Sequence, residues 1–116
     1  METVILQIII FIYRRRRTMT INKTQNGKDL TLALEGRLDT MTAPSLEAEL
    51  NEDLKEAETL TLDFSKLEYI SSAGLRVLLS AHKVMSAKGG MKVTNVNEIV
   101  REVFEVTGFA DILTIE

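Results

Sequence analysis

From Met19 onward, apolar and polar residues alternate in short runs that predict β-strands. Asp29–Leu34 has a leucine at every second position, which is typical of a half-buried strand, and Gly36 is expected to end it. Asn26–Gly27 is a favoured two-residue hairpin turn, so Thr20–Gln25 is predicted to pair antiparallel with this strand. The regular structure is therefore expected to begin with a β-hairpin.

Amphipathic segments separate the remaining strand candidates, which are Thr59–Phe64, Met91–Asn95 and Asp111–Ile115. The first predicted helix covers about Pro44–Ala57, because a proline suits the first helical turn and leucines then recur every four residues. The resulting order of elements is β-β-α-β-α-β-α-β. Strands that alternate with helices imply an α/β fold with a largely parallel sheet and right-handed crossovers.

The second and third helices are predicted from their caps and their apolar faces. The second follows Ser71–Ser72, is apolar around more than half of its circumference and is expected to end at Gly89–Gly90. Gly74, in its first turn, is expected to allow the close approach of a neighbouring loop or of a partner. The third helix is predicted to run from a cap at Asn97 to about Thr107. Five apolar residues are assigned to its inner side: Ile99, Val100, Val103, Phe104 and Val106.

The first eighteen residues differ in composition from the rest of the chain. An apolar run of about ten residues, Val4–Tyr13, precedes four arginines, Arg14–Arg17. The run is about half the length that a membrane-spanning helix needs, and a secretory signal carries its positive charge before the apolar region. We therefore interpret residues 1–18 as a non-native-looking or disordered leader, such as a translated upstream region, and residues 19–116 as the functional domain. An irregular extension and a short membrane anchor are the alternatives.

Composition removes several classes of function. The chain has 116 residues, a formal charge of −3, no cysteine and a single histidine. Without the leader it has 10 basic and 16 acidic residues, so no basic surface for nucleic acid is predicted. A cysteine nucleophile, a thiolate zinc site and a multi-histidine metal centre are excluded. No cofactor is expected.

The serine pair Ser71–Ser72 is the remaining candidate for chemistry. A serine hydrolase is excluded, because the only candidate base, His82, lies ten residues along the same helix, about 15 Å away. No phosphate-binding glycine motif is present, and pairs of carboxylates fall on predicted polar helix faces. Two interpretations stay open from the residues alone. One serine caps the helix, or one is phosphorylated at a helix N-terminus, which tolerates a phosphate dianion.

Three motifs in sequence order resemble the STAS domain of bacterial anti-sigma factor antagonists. They are GRLDT at Gly36–Thr40, LDFSKLEYISSAGLRVLLSAHK at Leu62–Lys83, and GGMKVTNVNEIVREVFEVTGFADILTI at Gly89–Ile115. The resemblance covers the chain from about Met19 to its end. It implies a mixed sheet of about five strands with helices packed on one side, in agreement with the predicted order of elements.

The resemblance also implies a cytoplasmic protein-interaction switch in bacterial transcription regulation, rather than an enzyme. In this family the unphosphorylated antagonist binds an anti-sigma factor that is also a serine kinase, which frees the sigma factor. Phosphorylation by the kinase abolishes binding, and a phosphatase restores it. The family's phosphorylated serine falls on Ser72, with Ser71 as the alternative. No nucleic-acid or membrane partner is implied.

Further site residues follow from the same comparison. The aspartate of the family's G-x-L-D motif matches Asp39, which is expected to orient the switch serine or to contact the kinase. An acidic residue that frequently precedes the family's serine is replaced by Ser71. An alternative function is therefore a STAS module that serves a transport or sensory assembly without phosphorylation. The residues expected to bind the partner are Asp39, Thr40, Ser71, Ser72, Ala73, Gly74 and Arg76.

We predict that a protein beginning at Met19 is soluble and melts within a few degrees of the full chain. The short apolar run and the change of composition at Met19 indicate that the leader adds nothing to the core. Thermal unfolding of both proteins, followed by circular dichroism, tests this. Aggregation of the shorter protein, or loss of most of its melting temperature, would show that the leader packs on the domain.

Overall fold

Five strands form a single sheet in which spatial order follows sequence order. The computed structural model describes residues 19–116, so the predicted leader lies outside the described residues. The first two strands pair antiparallel, and every other neighbouring pair is parallel. This confirms the predicted mixed, largely parallel sheet. The strands are β1 (Met19–Asn26), β2 (Asp29–Leu38), β3 (Thr59–Ile70), β4 (Met91–Thr94) and β5 (Thr114–Ile115).

Three helices, each crossing between parallel strands, cover one face of the sheet: α1 (Ala43–Asp53), α2 (Ser72–Ser86) and α3 (Glu98–Thr107). The crossovers proceed in one direction across the sheet, and right-handed connections then place their helices on the same side. In the first halves of β2 and β3 every second residue is buried there, from Leu30 to Leu34 and from Leu60 to Phe64. The predicted packing of helices on one side is confirmed.

The edge strand β1 carries an inward-facing charge. Lys23 stands opposite the buried Leu32, on the side of the sheet that the helices cover. Its Nζ lies 2.8 Å from Asp53 Oδ1 and 3.4 Å from Glu49 Oε1, both at the end of α1. The hydrogen bond with Asp53 is the main cause that raises the pKa of Lys23. The helix and the edge strand are thereby joined by an ion pair.

β2 and β3 are both longer than their alternating patterns predicted. The expectation that Gly36 ends β2 is wrong, because the strand continues through it to Leu38. Gly36 has a φ of 99°, and the pairing register of β2 with β3 shifts between Gly36 and Arg37. A glycine that adopts positive φ allows such a bulge without ending the strand. β3 likewise continues past Phe64 to Ile70.

Two other elements are shorter than predicted. α1 ends at Asp53 rather than near Ala57. The ammonium group of Lys88 donates to the carbonyl oxygens of Leu54 and Lys55, and to that of Ala57 at 3.1 Å, so these carbonyls are satisfied outside the helix. The last strand contains only two residues. A 3₁₀ turn at Phe109–Asp111 occupies the start of the segment that was predicted as strand.

The prediction for α3 is half right. Asn97 caps it as expected, since its Oδ1 accepts from the N–H of Val100 at 2.9 Å. Val100 and Phe104 are fully buried, and the ring of Phe104 packs on that of Phe64 at 6.4 Å between centroids. The inner-side assignment of Ile99 and Val106 is wrong, because they are 60% and 81% exposed. Val103, the fifth residue assigned to the inner side, is partly buried and packs against the same core.

The opposite face of the sheet carries polar side chains. One row across the sheet, from β1 to β5, consists of Thr24, Thr31, Thr61, Lys92 and Thr114. Parallel sheets are usually buried on both faces. None of the three helices packs on this face, and its threonine side chains combine strand propensity with a hydroxyl group that water can solvate.

Asp63, in the neighbouring row of this face, has a pKa held below its usual value. The main cause is the hydrogen bond that Asn95 Nδ2 donates to Asp63 Oδ1 at 3.0 Å, and the backbone N–H of Ser65 adds a second at 3.0 Å. Both hydrogen bonds favour the ionised carboxylate. Asn95 itself has a φ of 59° in the turn that follows β4.

We expect Asp63 to make stability fall in acid. Because its folded pKa is lowered from 3.8, its contribution is present above pH 4 and is lost as pH falls through the folded pKa. Melting temperatures between pH 6 and pH 2.5 should therefore decrease more steeply for the native chain than for Asp63→Asn. Asn95→Gly keeps the backbone conformation, removes the main donor and should also flatten the profile. Parallel profiles for all three proteins would contradict the assignment.

Candidate functional site

The predicted site residues lie at the C-terminal ends of β2 and β3. Leu38 and Ile70 are paired in the register of these strands, and the N–H of Ser71 donates to the carbonyl oxygen of Leu38 at 2.9 Å. The loop that follows β2 therefore lies beside the first turn of α2. All the residues expected to bind a partner lie at this end: Asp39, Thr40, Ser71, Ser72, Ala73, Gly74 and Arg76.

Asp39 organises the loop between β2 and α1. Its Oδ1 accepts from the N–H groups of Met41 at 3.0 Å and Thr42 at 3.2 Å. The buried Thr42 returns the contact, since its Oγ1 accepts from the Asp39 N–H at 2.9 Å and donates to the Arg37 carbonyl at 2.7 Å. These hydrogen bonds fix the conformation of the loop that contains Asp39.

Arg37 lies between Asp39 and the ring of Tyr69. Neither Arg37 nor Tyr69 was predicted from the sequence as a site residue. Arg37 is paired with Tyr69 in register, and its guanidinium carbon lies 4.4 Å from the centre of the Tyr69 ring. Its Nε is 3.8 Å from Asp39 Oδ2. The face of an aromatic ring attracts a cation, so Arg37 places a positive charge beside the loop. The arginine within the GRLDT motif was the available signal.

The two serines differ in exposure. Ser71 occupies the N-cap position in an extended conformation, but its side chain makes no capping hydrogen bond. Its Oγ is buried and has no hydrogen-bond partner within residues 19–116. Ser72 is the first residue of α2 and is exposed to solvent. Neither serine hydroxyl therefore caps α2.

Gly74 is buried where α2 meets the end of β2. A Cβ atom placed there would lie 2.7 Å from Leu38 Cγ, 2.9 Å from Ile70 Cγ1 and 3.0 Å from the Leu38 carbonyl oxygen. These distances are shorter than van der Waals contact. The expected close approach is real, and the neighbours are the ends of β2 and β3.

A shallow groove of about 340 Å³ runs between α1 and α2, next to Ser72. Thr40, Ala73 and Arg76 were predicted members of the site and line this groove. The sequence did not predict the remaining members, which come from α1 and the next turn of α2. They are Ala43, Pro44, Glu47, Val77 and Ser80.

Neither a metal centre nor a membrane span is found in the described part of the chain. No group of three or more histidine, aspartate or glutamate side chains in residues 19–116 is arranged to hold a metal ion. None of the helices there is both long and apolar enough to cross a membrane. His82 is a half-buried residue of α2, the helix that also carries Ser72.

The chain belongs to the STAS domain family. The family model described as "Mlab, STAS domain" matches residues 21–114. A Bordetella bronchiseptica protein, provisionally named anti-sigma factor antagonist BtrV, is 40% identical over 74% of this chain and 76% of its own length. The anti-sigma-B factor antagonist of Bacillus subtilis is 28% identical over 84% of this chain and 90% of its own length.

Solved structures of anti-sigma factor antagonists share the fold. One from Mycobacterium paratuberculosis superposes with a TM-score of 0.78 at 21% identity, covering 84% of this chain and 85% of that one. The antagonist SpoIIAA in its unphosphorylated form superposes with a TM-score of 0.73 at 19% identity, covering 84% of this chain and 88% of that one. The phosphorylated form of SpoIIAA from Bacillus superposes with a TM-score of 0.67 at 18% identity, covering 84% of this chain and 91% of that one. At these identities the likeness establishes the fold alone.

We expect Gly74→Ala to destabilise the domain by about 1 kcal/mol, and by no more than about 2 kcal/mol. Overpacking against Leu38 and Ile70 costs about 1–3 kcal/mol, and the better helix propensity of alanine offsets about 1 kcal/mol of it. Urea unfolding measures the difference in the free energy of unfolding. Ser72→Ala, in the same turn but exposed, should stay within about 0.5 kcal/mol of the native chain. A Gly74→Ala protein as stable as the native one would contradict the close packing.

Proposed function

We propose that this protein is an anti-sigma factor antagonist that binds an anti-sigma factor serine kinase and is switched off by phosphorylation of Ser72. A phosphatase reverses the modification. Binding, rather than catalysis by this chain, is the proposed activity. The partner surface consists of the Asp39 loop, the first turn of α2 and the groove between α1 and α2.

The observation that carries the proposal is the different exposure of the two serines. A kinase must bring the serine hydroxyl into line with a phosphoryl group, so the hydroxyl has to be accessible. Ser72 is exposed at the start of a fifteen-residue helix, while Ser71 Oγ is buried. Ser72 is therefore the favoured acceptor of the pair.

The position of Ser72 lets a phosphate be added without unfolding the domain. The first turn of a helix presents N–H groups without intrahelical partners, and the helix dipole favours negative charge there. The hydrophobic core lies beneath Gly74 and Leu75, on the other side of the turn. Phosphorylation thus changes a surface by about −2 charges and leaves the fold in place.

The effect on binding follows from charge. Residues 19–116 carry six more acidic than basic residues, and Glu47 already lines the groove. A partner that accommodates a neutral hydroxyl would meet a dianion instead. Like charges or an unpaired buried charge at an interface cost several kcal/mol, and about 1.4 kcal/mol is tenfold in affinity.

The relatives support the same function. Those compared above are named anti-sigma factor antagonists, and SpoIIAA occurs in an unphosphorylated and a phosphorylated form with this fold. One residue favours a second candidate. Ser71 stands where the family often has an acidic residue, which is consistent with a STAS module that serves a transport or sensory assembly without phosphorylation. Such a module would accept alanine at Ser72.

Incubation with the cognate anti-sigma factor kinase and ATP should place phosphate on Ser72. Mass spectrometry of the peptides locates the modification, with Ser72→Ala as the variant that blocks it and Ser71→Ala as the matched control that does not. Phosphate on Ser71 alone would shift the assignment by one residue. No phosphate on this chain, from a kinase that modifies another substrate, would favour the module that works without phosphorylation.

Ser72→Asp should weaken binding to the unmodified kinase by at least about tenfold, because even one negative charge at the interface costs more than about 1.4 kcal/mol. Calorimetric titration of the two purified proteins gives the dissociation constants. Ser72→Ala should bind like the native chain. Equal affinity for the alanine and aspartate variants would place Ser72 outside the interface.

A further inference from the structure

Arg76 lies one helical turn after Ser72. Residues four apart on a helix are neighbours, with about 5–6 Å between their Cβ atoms. Long helical side chains lean toward the helix N-terminus, so the side chain of Arg76 leans toward Ser72. Arg76 is exposed to solvent. A group attached to Ser72 is thus within its reach.

Arg76 also has no ion-pair partner in the described residues. No carboxylate within residues 19–116 lies within 4.0 Å of it, although Glu47 lines the same groove. The other arginine at this end of the sheet, Arg37, is held by Asp39 and by the ring of Tyr69. Of the two cations near Ser72, Arg76 is the one that can change partner without breaking an existing contact.

We propose that Arg76 is the intramolecular counter-ion of phosphorylated Ser72. This inference rests on the proposed function, in which Ser72 is phosphorylated. A guanidinium group binds phosphate through two parallel N–H···O hydrogen bonds, which a neutral serine hydroxyl cannot accept. Arg76 therefore stays in the groove beside an unmodified Ser72 and turns toward the phosphate after modification.

The consequence is a second effect of phosphorylation on the partner surface. Arg76 and Glu47 are the charged residues that line the groove. When the guanidinium turns toward the phosphate, the groove keeps the carboxylate and loses its cation. Phosphorylation then acts through the new charge at Ser72 and through the changed charge of the groove about one helical turn away.

The test uses phosphoserine built into position 72 during translation, so that no kinase is needed. Phosphorus NMR during a pH titration gives the second pKa of the phosphate. A nearby cation favours the dianion, so Arg76→Gln should raise this pKa by about 0.15–0.4 units. Arg76→Lys, which keeps the charge, should restore at least part of the shift. Arg101→Gln, which removes an exposed arginine from α3, is the matched control and should leave the pKa unchanged.

Failure of the proposed pairing of Arg76 can be distinguished from failure of the proposed function. The same phosphate pKa in the native chain and in Arg76→Gln would overturn the role of Arg76, even where a kinase is found to modify Ser72. Absence of modification by the kinase would overturn the proposed function, and the NMR result would still report on the pairing. A rise in Arg101→Gln equal to that in Arg76→Gln would show a general charge effect and would also overturn the specific pairing.

Discussion

The site depends on how closely the first turn of α2 approaches the end of β2. Gly74 has no side chain, so Leu38 packs directly against the helix backbone. The hydrogen bond from the Ser71 N–H to the Leu38 carbonyl closes the same contact from the strand side. Together these contacts fix the start of α2 beside the loop that Asp39 organises. Ser72 is exposed while the Ser71 hydroxyl before it and Gly74, two residues after it, face inward.

Much of the fold was predictable because burial on one face leaves a clear pattern. Strands with alternating burial and a helix capped by Asn97 are local features, and local features can be read from sequence. The errors have non-local causes. Gly36 suggested that β2 ends there, but pairing with β3 extends β2 to Leu38. Ile99 and Val106 were assigned inward by composition, although the width of the sheet below decides how much of α3 is covered.

The site was predictable to a different degree. Its residues could be listed because three motifs occur in family order, and the structure places them at one end of the sheet. Their physical roles could not be derived in the same way. The hydrogen bonds that occupy the Asp39 carboxylate, and the ring of Tyr69 beneath Arg37, join residues that belong to different segments. Glu47 was not predicted to line the groove, because the sequence of one helix does not show how α1 and α2 pack against each other.

The charged pair on the edge strand has a consequence for how this domain associates. An inward-pointing lysine on an edge strand opposes the addition of another strand. Lys23, bonded to Asp53, therefore disfavours backbone pairing along the long edge of the sheet. Partners are left with side chains and loops as points of attachment. A complex made in that way can separate without breaking a ladder of backbone hydrogen bonds.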